Sequence, residues 1–320
     1  MLSRAGHAIV NNEFLELIDL ASERLGAASV SANDEFFASK DNLIKASAPV
    51  WKEDAYTDRG KWMDGWETRR RRDVTRETHD WCVVRLGVRG IVKGVDVDTA
   101  FFRGNFPESC SLDVGDGAEW REVLAGAALC GDTHNLFAIH DAPAATHVRL
   151  RIYPDGGVAR LRVYGEVVAD WGRLCRRGDV DLAAAEHGGL VVACSDMFFG
   201  SRHNLIMPGD ATHMGDGWET RRRRGPGYDW TIVRLGTRGT IRRIEVDTRH
   251  FKGNAPAACS LEGGDGERWR ELLPRTPLEP HTRHTFEDDV RPIGDVTHAR
   301  FNIYPDGGVG RLRLFGRPRS

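Results

Sequence analysis

Gly65-Trp66-Glu67-Thr68-Arg69-Arg70-Arg71-Arg72 occurs a second time, unchanged, as Gly217-Trp218-Glu219-Thr220-Arg221-Arg222-Arg223-Arg224, at an offset of 152 residues. A long string repeated at a large offset marks a chain built from duplicated units. The match extends outward. Asp80-Trp81 returns as Asp229-Trp230, and Arg85-Leu86-Gly87 as Arg234-Leu235-Gly236, now 149 residues apart, because the seven residues after Arg72 become four after Arg224. Asp98-Thr99 matches Asp247-Thr248, Gly104-Asn105 matches Gly253-Asn254, and Ile152 to Val158 matches Ile303 to Val309. Upstream, Ile18-Asp19-Leu20-Ala21 pairs with Val180-Asp181-Leu182-Ala183, and Asp34 with Asp196. The chain therefore reads as two copies, residues 1–169 and 170–320, with Glu166 to Asp179 as the connector. Leu124 to Thr146 shares little with Leu273 to Thr297, so the matching strings persisted while their neighbours drifted.

Within each copy the dominant period is two. Val95 and Val97 alternate with Asp96 and Asp98, and Val148, Leu150 and Ile152 alternate with His147, Arg149 and Arg151, as in half-buried strands. Tyr153-Pro154-Asp155-Gly156-Gly157 then reads as a turn, with a returning strand through Leu161 and Val163; Leu312 and Leu314 repeat it. Gly115-Asp116-Gly117 and Gly264-Asp265-Gly266 read as hairpin turns. Helix is scarce. Glu13 to Leu25 is the best candidate, with Phe14, Leu17, Ile18, Ala21 and Leu25 on one stripe and Gly26 as its cap. The expectation is an all-β chain, one β-sandwich per copy, with minor helix.

Composition bounds the function. Of 320 residues, 45 are Lys or Arg and 47 Asp or Glu, a formal charge of −2 that argues against a dedicated nucleic-acid binder. The mean hydropathy is −0.44, and no apolar run approaches the roughly 20 residues that span a bilayer, so no membrane partner is expected. Met1 to Asn12 lacks the regions of a signal peptide. Cys82, Cys110, Cys130, Cys175, Cys194 and Cys259 form no CxxC pair, which fits a reduced, cytoplasmic setting and argues against structural zinc.

Asp64-Gly65-Trp66-Glu67-Thr68 with its four arginines reads as a loop entering a strand. It offers a carboxylate, an aromatic wall and guanidinium forks that match a carboxylate or phosphate in geometry. Alternation sends Arg69 and Arg71 one way, Arg70 and Arg72 the other. A plain solvated charge run is the competing reading; identity across two diverged copies favours an anion site. Glu67 and Glu219 are candidate acid/base residues, with Asp80, Asp229 and His250 as further catalytic candidates. Trp66, Arg69, Arg71, Trp218, Arg221, Arg223, Asn105 and Asn254 are the substrate-binding candidates. Asp80 and Asp229 also read as turn or capping acceptors, and Asn105 and Asn254 as turn formers. His250 aligns with Phe101 and Gly215 with Met63, so the copies need not contribute equally. His147 and His298 read as surface histidines. There is no HExxH, GxSxG or Walker A pattern. No cofactor or metal site is evident, and dependence on a divalent cation stays open.

Together, Asp-Gly-Trp-Glu-Thr-Arg-Arg-Arg-Arg, the following Asp-Trp and Arg-Leu-Gly, and Val-Asp-Thr with Phe-x-Gly-Asn-x-Pro resemble the allantoicase repeat. Asp34 to Phe37 and Asp196 to Phe199 are similar to that family too, and the likeness spans roughly residues 14–316. The resemblance implies two tandem jelly-roll, galactose-binding-like β-sandwiches. It further implies hydrolysis of allantoate to ureidoglycolate and urea in purine breakdown, and usually a homo-oligomer. A tandem carbohydrate-binding module is the non-catalytic alternative, because function does not follow from such a fold.

Overall fold

The computed structural model describes residues 12–319 apart from Asp73, Val74 and Arg76. The reading of Met1 to Asn12 as free of a signal peptide falls almost wholly outside those residues. Two compact units divide between Glu166 and Val167.

The spine of the first unit is the long strand Asp80–Asp98. Its first half pairs with Ala28–Ala32 and with Ala144–Tyr153, and its second half with His134–Ala138. Arg160–Val167 also joins it, carrying Ile18–Asp19 on its outer edge, while Ser109–Gly115 and Trp120–Ala128 extend the other layer. One strand thus serves both layers of a sandwich. The second unit repeats the plan around Asp229–Asp247, with Leu190–Cys194, Val296–Tyr304, Arg283–Phe286 and Arg311–Pro318 as partners. The fold is all-β, two jelly-roll sandwiches in tandem. Val148, Leu150, Ile152, Leu161 and Val163 are fully buried, as are Ala299, Phe301, Ile303, Leu312 and Leu314, so the expected strand phases hold in both copies. The two Gly-Asp-Gly segments turn their hairpins, with the Asp116 and Asp265 carboxylates accepting from the backbone N–H groups two and three residues on.

Two local expectations fail, each for a visible reason. Glu13 to Leu25 is not a helix but a 3-10 turn Glu13–Glu16, the edge strand Ile18–Asp19, and a second 3-10 turn Glu23–Leu25. Phe14, Ile18, Ala21 and Leu25 are indeed buried, but the sheet edge captures Ile18 and Asp19 against Gly165 and Tyr164. The Asp19 carboxylate then accepts from the N–H groups of Ala21 and Val163, which ties this segment to the sheet instead of to a helical turn. Gly26 does cap, at φ +90°. The only α-helix among the described residues is the single turn Trp171–Leu174, within the connector. Secondly, Asp96 and Asp98 do not face solvent: both are buried.

Candidate active site

The repeated motif is clamped into the rim of each sandwich. Trp66–Glu67 runs antiparallel to Gly157–Val158, and on its other side Glu67 exchanges backbone hydrogen bonds with Ala38. The Trp66 ring is fully buried, and its indole N–H donates to the Asp34 carbonyl at 2.7 Å. The turn that supplies Gly157 also fixes Asn105. Gly156 sits at φ +136°, where a Cβ would come within 2.8 Å of the Asn105 carbonyl, and the Gly157 N–H donates to that carbonyl at 2.7 Å. The strings Gly-Trp-Glu-Thr, Gly-Asn and Pro-Asp-Gly-Gly, distant in sequence, therefore form one piece of structure.

Onto this frame the side chains assemble in pairs. Asn105 donates its amide to Glu67 Oε1 at 2.8 Å. Burial pushes the Glu67 carboxyl above its ordinary value, and the Asn105 amide only partly opposes this. Arg69 Nε meets Asp34 Oδ2 at 2.6 Å, and its guanidinium lies over the Phe36 ring. Arg71 pairs with the buried Asp80, which also accepts from the Asn33 amide at 2.7 Å, while the Arg71 backbone N–H donates to Asp155.

The second copy reproduces each pair. Asn254 donates to Glu219 at 2.5 Å, Arg221 Nε meets Asp196 at 3.1 Å with its guanidinium over the Phe198 ring, and Arg223 pairs with Asp229. Ser195 stands in for Asn33 on Asp229. Burial would raise the Asp196 carboxyl, but the N–H groups of Arg221 and Phe198 and the Arg221 guanidinium outweigh it and hold it below the usual carboxylate range.

The candidates thus fall into distinct places. Glu67, Arg69 and Asn105, with Glu219, Arg221 and Asn254, form two matching rims. Trp66 and Trp218, expected as an aromatic wall, are fully buried and present no face to a ligand; they are the support on which the adjacent carboxylate stands. Arg71 and Arg223 are committed to Asp80 and Asp229, so these four brace the loop. His250 occupies a left-handed position at φ +73°, as Phe101 does at +69°, which supports the alignment of the two. Its ring bonds to the Ala211 carbonyl and not to Glu219, Arg221 or Asn254. The aspartates that grip the arginines, Asp34 and Asp196, are outside the sequence-derived candidates, although their pairing across the copies is visible there. Asp155 and Asp306 are hidden inside what reads as a mere turn.

A family model described as the allantoicase repeat matches residues 18–168 and 180–319. The chain belongs to the allantoicase family. A probable allantoicase of Pseudomonas aeruginosa is 52% identical, with 96% of this chain and 97% of the relative covered. One from Photobacterium profundum is 50% identical over 95% and 97%. The crystal structure of allantoicase from Saccharomyces cerevisiae superposes with a TM-score of 0.85 at 34% identity, covering 97% of this chain and 99% of that one. Membership of the allantoicase family favours the hydrolase over the tandem carbohydrate-binding alternative. Two of the exposed rim aromatics, Phe36 and Phe198, are moreover already capped by guanidinium groups.

Proposed function

We propose that the chain hydrolyses allantoate to ureidoglycolate and urea, using the Glu–Asn and Arg–Asp pairs at each sandwich rim. Allantoate carries one carboxylate and two ureido arms on a single carbon. The Arg69 or Arg221 guanidinium, already oriented by an aspartate, suits the carboxylate as a charge-assisted partner. Glu67, with a carboxyl that burial raises, suits the general acid. It protonates the departing ureido nitrogen as the carbon–nitrogen bond breaks and urea leaves. The nitrogen of the remaining arm supplies the electron pair that holds the carbon as an iminium. Water adds to that carbon, and the Glu67 carboxylate takes up the proton that water loses. The sum is allantoate plus water to ureidoglycolate plus urea.

The observation that carries this reading is the duplication of a half-buried glutamate held by an asparagine beside an aspartate-oriented arginine, in a member of this family. A small-molecule substrate, a cytoplasmic setting and a homo-oligomer complete the proposal; the six cysteines, all free thiols, are in keeping with a reducing compartment. Urea release from allantoate, measured with and without a chelator, tests the reaction and the open question of a divalent cation together. Protein that binds allantoate and liberates no urea in either condition overturns the proposal.

A further inference from the structure

In the first sandwich, a cavity of about 320 Å³ opens between the segment Ala46–Pro49, the end of the strand Asp80–Asp98 and the strand Arg160–Val167. None of the rim groups assigned above line it. Asp96 does, and it is buried, with a side chain only 8% exposed. Its Oδ2 meets His134 Nδ1 at 2.7 Å, but its Oδ1 has no hydrogen-bond partner. Buried carboxylate oxygens without a partner are uncommon and call for an explanation.

The two arginines that line the cavity are paired with other carboxylates. Arg160 is engaged by Asp64, and Arg162 leans to Asp19 at 3.6 Å. Among the described residues, His134 is thus the one group that hydrogen-bonds to the Asp96 carboxylate, and it does so through Oδ2. Tyr164 adds a hydroxyl whose pKa burial pushes up to about 12, so it stays protonated and polar at neutral pH. Ala48, Ala100 and Phe101 supply an apolar side to the same cavity.

The second sandwich keeps a smaller cavity at the same place, about 150 Å³ in volume, but arms its carboxylates with arginines. Strand register puts Arg283 where His134 stands and Phe315 where Tyr164 stands, and Glu245 replaces Asp96. Glu245 meets Arg243 at 3.1 Å, and Asp247 is held by Arg249 and Arg283, which also bind Asp210. Each carboxylate there has a guanidinium of its own.

We propose that the first-sandwich cavity is a binding site for a small organic cation with a forked N–H head, of the amidinium or guanidinium class. The head donates to the Asp96 carboxylate, whose counterpart Glu245 is met by a built-in arginine in the second sandwich, and the body rests against Phe101 and Ala100. This site is separate from the rim and does not depend on the reaction proposed there.

Calorimetric titration of the full-length chain with benzamidinium tests it. Saturable binding of one cation per chain is expected, with neutral benzamide at least about tenfold weaker because it lacks the charge. Asp96→Asn should weaken benzamidinium by about tenfold or more. Ala48→Trp, on the exposed rim of the cavity, should block it sterically and covers the case in which Asp96→Asn fails to fold. Glu67→Gln should bind as the parent does. The proposal is overturned by absent or unsaturable binding, by equal affinity for benzamide, by two sites per chain, by binding that survives both cavity variants, or by its loss in Glu67→Gln.

Discussion

Asp64→Ala strands a buried guanidinium. Arg160, 1% exposed, reaches Asp64 Oδ2 at 2.8 Å, and its other N–H groups go to the carbonyls of Asp64, Ala159 and Ser47. Removing the carboxylate keeps those carbonyl bonds but leaves the positive charge uncompensated, at a cost of about 3–5 kcal/mol. Arg160→Met is the gentler change. The Asp64 carboxylate would retain Lys45 at 3.2 Å and the Val50 N–H at 3.1 Å, and Lys45 reaches water, so about 1–3 kcal/mol is expected. The double variant should cost less than the sum, since neither charge is then left alone. Hydrogen exchange read by mass spectrometry assigns the loss to the peptides around Asp64 and Arg160. Burial acts to raise the Asp64 carboxyl, but Arg160, Val50 and Lys45 hold it below its ordinary value. Its contribution is therefore present above the ordinary carboxylate range and lost as pH falls through the lowered native value, so the gap between parent and Asp64→Ala should close in acid. An Asp64→Ala protein within about 1 kcal/mol of the parent, or an Arg160→Met protein that is the less stable of the two, refutes the argument. Asp216 and Arg311 form the same pair at 3.1 Å and offer a second trial.

Other outcomes follow from the same contacts. Glu67→Gln should raise the melting temperature at about pH 8, because the fold disfavours the ionised carboxylate; the gain should vanish by about pH 4, where the carboxyl is protonated in the folded and unfolded states alike. Trp66→Phe removes the indole bond to Asp34 and part of a filled core, for a loss of about 1–3 kcal/mol in denaturant titrations. Asp34→Asn should raise the KM for allantoate more than it lowers kcat, since the Arg69 fork would lose its ionic anchor while Glu67 keeps Asn105; a lowered kcat at unchanged KM would contradict that division.

Much of this is readable from residues alone. The duplication and the strand phases of Val148 to Ile152 and Leu161 to Val163 follow from repeated strings and period two. What escapes are the partners. Asp34 lies 35 residues from Arg69, and Asp155 lies 84 from Arg71, so each pairing is a product of sheet topology that local pattern does not encode. Trp66 is misplaced by sequence because a tryptophan beside arginines looks the same whether its ring forms a wall or a floor; only the Asp34 carbonyl beneath it decides. The Glu13–Leu25 stripe is truly apolar and largely buried, but an edge strand and two 3-10 turns can bury the same residues as a helix. Asp96 and Asp98 read as solvent-facing because alternation names two faces without saying whether the second one is covered.

The most direct trial of the central claim is urea release from allantoate by Glu67→Gln, by Glu219→Gln and by the double variant, each first shown to be folded. The double variant is expected to lose at least about a hundredfold in turnover while its affinity for allantoate, still gripped by Arg69 and Arg221, changes little. A folded double variant that releases urea at the parental rate would show that the glutamates at the two rims are not the acids of this reaction.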